Sequence, residues 1–302
     1  FAIGGRRVQS GVYRVTYTGP ESTDPIPVQT SSNADRTLRH QLESYHGKQD
    51  AAAVDVAWQH LGSRDRFIRW AARTAIEHQP LATWSTRALA EKKPEIQVEA
   101  LLALARAGGI SPPHRKPSDS PVDHKLGAEI LKAWTRLDPK SLDAERRLAW
   151  VRTVQIVLHR FEITSSAAPA SLVAKLDPLF PSNSSELNGL LCETLVYLQS
   201  PTVAGKTLTL LRSAPTQEEQ IEYARSLRAL EAGWTPASRT EYFTWFLKAA
   251  NFRGGASFSK FIEFIRNDAL DRLPSAERKT FEELLEKKVE TRSAVENFGD
   301  VF

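Results

Sequence analysis

Apolar positions recur three and four residues apart along most of this chain, with polar positions filling the opposite side. This pattern predicts helices near 35–46, 50–61, 65–78, 81–91, 95–107, 123–136, 142–161, 169–178, 185–199, 201–212, 217–231, 236–250, 257–271 and 275–290. Helices this short are marginal alone in water, so burial of one face against neighbours has to hold them. Residues 61–79, LGSRDRFIRWAARTAIEHQ, are the clearest case. A turn carrying Asp65 leads into Ile68-Arg69, Ala71-Ala72 and Ala75-Ile76, where small residues let a second helix lie close. PEIQVEALLALARAG repeats the pattern. Val98 stands 30 residues after Ile68, each leads an alanine-rich face, and Leu101, Leu104 and Ala105 continue the second. Phe258, Phe261, Ile262 and Ile265 likewise fall at i, i+3, i+4 and i+7. The expected fold is all-α, a solenoid of stacked helical hairpins in which each hairpin shelters the next.

The breaks in the pattern suggest the organisation. Residues 11–18, GVYRVTYT, read as the one convincing strand, and a lone strand needs partners, expected upstream of Phe1. Residues 19–34 are rich in Pro, Ser and Thr and read as a linker. A first helical section is expected over 35–107 and a second over 123–302, separated by the Gly- and Pro-rich loop 108–122. Several helix starts carry capping chemistry. Thr216 with Glu219 predicts a capping box, and Ser200-Pro201 and Thr235-Pro236 each place a hydroxyl before a first-turn proline.

Composition narrows the class. The 302 residues are 41% hydrophobic and 25% charged, as in a globular protein, and no apolar run approaches a membrane span. No signal peptide opens the chain, and the absence of methionine reads it as a piece of something longer. Charge is uneven: residues 61–160 hold 18 Lys/Arg against 11 Asp/Glu, a surplus of 7. These arginines come singly or in pairs along helices with carboxylates nearby, the pattern of solvated faces. Cys192 is the single cysteine and sits in an apolar helix pattern, where a buried thiol acts as a small hydrophobe.

Motifs for chemistry are sparse. VAGKT at 203–207 ends like a phosphate-binding loop, but Ser200 stands where that motif needs glycine, so a helix surface is expected. His114 and His124 flank a polar loop without zinc-ligand spacing, and neither HExxH, CxxCH nor GxSxG occurs. No catalytic, cofactor-binding or metal-ligating residue is therefore assigned. Trp234, Tyr242, Phe243, Trp245, Phe246, Phe252, Phe258, Phe261 and Phe264 form an aromatic-rich stretch with Arg253 and Arg266 among them. A thick core between three helices accounts for it. The functional alternative is an interaction patch of Tyr242, Trp245, Phe246 and Arg253, since aromatics with arginine are typical of interface hot spots.

GGRRVQSGVYRVTYTGP, APTQEEQIEYARSLRALEAGWTP, YFTWF and GGASFSKFIEFIRNDAL carry a resemblance that spans nearly the whole chain in patches. They resemble large bacterial membrane-bound dehydrogenase-type proteins, in which a glucose/sorbosone dehydrogenase-like β-propeller is followed by HEAT repeats and a cytochrome c domain. The resemblance implies that residues 1–18 are a remnant of the propeller and that the helices are HEAT-like. It also implies an exported, periplasmic setting. The parts expected to hold quinone or haem lie outside these residues, so no cofactor is carried over. The expected role is a non-catalytic HEAT-like scaffold and docking module. It would position the propeller and cytochrome domains, or a partner protein. A general protein-interaction solenoid is one alternative. Another is a HEAT-like DNA-binding protein or alkyl-DNA glycosylase, with Trp58, Trp70 and Trp84 for stacking and Asp65 as an acid.

Overall fold

In a computed structural model the residues described are 2–5, 8–25, 33–255 and 257–286. Each predicted helical segment contains an α-helix: α1 (Ala34–Glu43), α2 (Ala53–Trp58), α3 (Arg66–Glu77), α4 (Ser85–Ala90), α5 (Pro94–Gly108), α6 (His124–Arg136), α7 (Ala144–Arg160), α8 (Ala170–Leu176), α9 (Ser185–Tyr197), α10 (Val203–Ser213), α11 (Gln217–Leu227), α12 (Pro236–Ala249), α13 (Phe258–Asp271) and α14 (Ser275–Leu285). The protein is all-α, with a small N-terminal hairpin. Residues 287–290 of the last predicted helix lie outside the described residues.

Local chemistry sets the helix starts. Asp65, Asp123, Asp143, Ser184 and Thr216 each accept a backbone amide of the first turn that has no intrahelical partner. Thr235 and Ser238 form a reciprocal box around Pro236, as the Thr-Pro pair predicts. Two other expectations are corrected. Thr216 caps α11, but the Glu219 carboxylate accepts from Tyr223 Oη at 2.9 Å and leaves the box half made. Helix α10 starts at Val203, and the Ser200 hydroxyl donates to Asp177 instead of capping it. Asp177 also accepts from Lys206 Nζ at 2.7 Å and from Thr202. Burial alone would raise its pKa, but these donors outweigh burial and hold it below the usual carboxylate range.

The strand expectation is also corrected. β1 (Ala2–Gly5) and β2 (Val8–Val12) pair antiparallel, with Ala2 opposite Val12 and Gly5 opposite Val8. The pairing partner thus lies within the chain, and residues 13–18 continue without regular structure. Their β-propensity is high, yet propensity makes no strand where no adjacent strand supplies hydrogen bonds. Of the expected linker, residues 19–25 are exposed without helix or strand, and residues 26–32 lie outside the described residues.

Packing follows a regular order. α1 packs on α3, α3 on α5, α5 on α7, α7 on α9, α9 on α11, and α11 on α13. Even-numbered helices do the same where α4 meets α6, α6 meets α8, α10 meets α12 and α12 meets α14. Contacts between sequence neighbours, such as α2 with α3 and α10 with α11, join the two series. Small residues make these approaches close: Ala71, Ala72 and Ala75 of α3, and Ala100, Ala103 and Ala105 of α5, are all buried. On α6, a Cβ added at Gly127 would lie 2.8 Å from the Phe161 side chain, so glycine lets the end of α7 settle there. Gly233 takes φ +73° beside the Pro201 carbonyl, a turn that a side chain would block twice over.

One apolar core runs from Leu42 to Phe281. It passes the 108–122 loop uninterrupted, because α5 packs on both α6 and α7. VAGKT forms the first turns of α10, and Val203, Ala204 and Thr207 are buried, so it is more interior than the expected surface segment.

Cys192 is fully buried, with the Thr207 hydroxyl 3.4 Å from its sulfur. Burial pushes its thiol pKa up to about 12. Thiol reagents at pH 8 are therefore expected to leave the native chain unlabelled and to add one label per chain on unfolding; rapid native labelling contradicts the burial. A pKa raised on folding leaves stability intact below the ordinary thiol range. Stability is then lost as pH rises toward 12, by roughly 1.4 kcal/mol per pH unit for this group. Burial raises the phenols of Tyr223 and Tyr242 too, so they steepen the same alkaline loss.

Candidate functional site

The residues singled out as an interaction patch mostly face inward. Tyr242, Trp245 and Phe246 are buried, and only Arg253 is exposed. Tyr242 Oη donates to the Ala224 carbonyl at 2.9 Å, and Trp245 Nε1 donates to Gln220 Oε1 at 3.2 Å. Their polar tips are satisfied internally, as buried Tyr and Trp require. Phe243 stacks on Phe281 with ring centroids 4.5 Å apart. The cluster is a core between α11, α12 and α14, so these three aromatics cannot form a surface patch. Phe261 and Phe264 of α13 are exposed at 44% and 62%, so the apolar face of α13 is Ile262, Ile265, Ala269 and Leu270.

A second pair of exposed aromatics lies on α3. Ile68, Ala71, Ala72, Ala75 and Ile76 take the inward side of this helix, which turns Phe67 and Trp70 outward, 51% and 59% exposed. Arg66 lies over the Phe67 ring, 5.1 Å from its centroid. Beside them is a groove of about 400 Å³ between α3, α5 and α7. Its floor is charged. Arg69, with a side chain only 5% exposed, donates to the Ser63 and Arg64 carbonyls at 2.9 and 3.0 Å and to Glu145 of α7 at 2.5 Å. Its Nε lies 3.6 Å from Glu99 of α5. Glu99, itself 7% exposed, accepts from Arg73 Nη1 at 2.8 Å. Arg73 Nε lies 3.2 Å from Glu77, which accepts from Arg106 at 2.9 Å. Arg146 completes the set, pairing with Asp143 and donating to the Gly62 and Ser63 carbonyls. Burial raises the Asp143 pKa less than the Arg146 amide and guanidinium and nearby Arg69 lower it, so its carboxyl stays below the usual range.

From this groove an outward stripe continues along α7 through Ala149, Arg152, Ile156 and His159, spaced by three and four residues. It leads to a cleft of about 560 Å³ between α7 and α9, bordered by Ile156, Glu193 and Tyr197. Gln155 Nε2 ties the two helices, donating to Thr194 Oγ1 at 2.9 Å and to Glu193 at 3.2 Å. Tyr197, 44% exposed, donates to the Ile163 carbonyl at 2.6 Å, and burial raises its phenol pKa. The whole is an open, mixed surface in which aromatic rings stand over a fixed charged floor.

The residues named for the DNA reading separate. Trp58 and Trp84 are core, while Trp70 is exposed. Asp65 accepts from the Phe67 and Ile68 amides as the cap of α3. Two of the three stacking residues are thus unavailable. His124 Nδ1 lies 3.1 Å from the Phe161 carbonyl and His114 sits in a short 3-10 turn. Among the described residues no group of three or more His, Cys, Asp or Glu is placed to hold a metal ion. No helix among them is long and apolar enough to cross a membrane. No protein-family model, curated protein or solved structure matches the chain.

Proposed function

We propose that this chain is a HEAT-like α-solenoid acting as a non-catalytic docking scaffold, and that α3, α5, α7 and α9 present its working surface. The observation that carries this reading is the packing order, in which odd helices follow odd helices from α1 to α13. Units that touch only their neighbours leave one long side of each series open, the arrangement by which repeat proteins present extended binding surfaces. The exposed Phe67 and Trp70 on that side support it further, because such rings are enriched at interfaces. The redox setting, between a dehydrogenase-like propeller and a cytochrome c domain of an exported protein, rests on the sequence resemblance alone.

Small-angle scattering of the purified chain is the test of the shape. A compact domain of 302 residues has a radius of gyration of about 19 Å. The scaffold reading requires a clearly larger value with an elongated distance distribution, and a compact profile sinks it. Titration with haem and with a quinone cofactor, followed by absorbance and calorimetry, tests the non-catalytic part. Stoichiometric uptake of either counts against it.

A further inference from the structure

The groove beside α3 is not electrically neutral. Arg66 and Arg152 have no carboxylate partner among the described residues, whereas Glu99 and Glu145 are already engaged by Arg69 and Arg73. Two exposed cations thus border a surface whose apolar contacts are Phe67, Trp70 and Ile156. We infer that its partner is an acidic peptide segment carrying apolar side chains, lying along α7 from Trp70 toward Tyr197. This inference rests on the docking reading above and names the chemistry of the partner. Carboxylates of the segment pair with Arg66 and Arg152, one apolar side chain rests on Phe67 and Trp70, and another enters the cleft beside Ile156 and Tyr197. From Glu145 to His159, α7 is about 21 Å long, a span that an extended segment of about seven residues covers. A nucleic acid fits less well. Arg66 and Arg152 are single cations on separate helices, too few to neutralise a continuous phosphate backbone, which takes several Lys or Arg contacts.

The test uses the full chain and three fluorescent probes of matched length: a peptide of about ten residues alternating Glu with Leu and Phe, its Lys counterpart, and a short DNA duplex. Anisotropy titrations at low salt are expected to show the acidic peptide binding at least about tenfold more tightly than either other probe, with affinity falling as salt rises. Trp70→Ala and Arg66→Glu are each expected to weaken it about tenfold or more. Phe264→Ala, on the exposed side of α13, leaves it unchanged. Trp70 and Arg66 are exposed, so both variants fold, which circular dichroism checks. The inference is overturned if the basic peptide or the duplex binds as well as the acidic peptide, or if the acidic peptide fails to bind. It is overturned equally if binding ignores both substitutions. A basic peptide that binds and is lost with Trp70→Ala removes the acidic partner but leaves the docking surface standing. The scaffold itself stands or falls on the scattering experiment.

Discussion

Replacing Glu99 by alanine is expected to lower the unfolding free energy by about 3–5 kcal/mol, the usual cost of removing one member of a buried ion pair. Its carboxylate is 7% exposed and is shared by Arg73 at 2.8 Å and Arg69 at 3.6 Å. Arg69 keeps Glu145 and two carbonyls, and Arg73 keeps Glu77, but both guanidiniums lose their most buried countercharge. Glu99→Gln preserves the shape and one acceptor and is expected to cost less. Urea unfolding followed by circular dichroism, in a cycle with Arg73→Ala, isolates the pair, with a coupling of about 0.5–3 kcal/mol expected. A loss below about 1 kcal/mol for Glu99→Ala would mean that the charged floor of the groove contributes nothing beyond surface charge.

Trp134→Ala is expected to cost about 3–5 kcal/mol, as for other large aromatic truncations in cores. Trp134 is fully buried and lies 4.1 Å from Trp150 with its ring nearly parallel. Its Nε1 donates to the Trp150 carbonyl at 2.8 Å. The two indoles are not equivalent, however, because Trp150 Nε1 is buried without a hydrogen-bond partner. Replacing Trp150 by phenylalanine removes an unsatisfied donor along with some apolar area, whereas Trp134→Phe breaks a made bond. Trp150→Phe should therefore be the milder of the two in the same urea titration. The reverse order would show that the Trp150 indole has a partner in solution.

The helices were legible because their stability depends on periodic burial, and periodicity is written locally. Caps were legible only where one residue decides the outcome. Thr235 caps as its place before Pro236 suggests, but Glu219 finds Tyr223 one turn on and abandons the box. A single strand was expected at 11–18 in place of the hairpin, because the residues with the stronger β-propensity, 13–18, are not those that meet a neighbour. Repeat regularity is weak for a visible reason. Helix α3 starts at Arg66, α5 at Pro94 and α7 at Ala144, so the interval grows from 28 to 50 residues where the loop intervenes.

The charged floor of the groove was not legible at all. Arg69 follows Ile68 like any surface arginine, and its partners Glu99 and Glu145 lie 30 and 76 residues away in sequence. The outward pair was within reach. Phe67 and Trp70 fall on the side of α3 opposite the alanines, and an aromatic on the polar side of a helix marks a surface more directly than a run of aromatics does. Tyr242, Trp245 and Phe246 drew attention by their density, yet density is what a core between three helices requires.

Arg69 gives this surface a mechanical property. One guanidinium grips the incoming turn of α3 and a carboxylate on each of α5 and α7, so the three helices cannot slide past one another without breaking that grip. On the docking reading proposed above, a guest arriving at Trp70 would meet a berth whose shape is already set, and little ordering would have to be offset as it settles. Its capture should follow single-step kinetics governed by encounter, with no slow refitting phase.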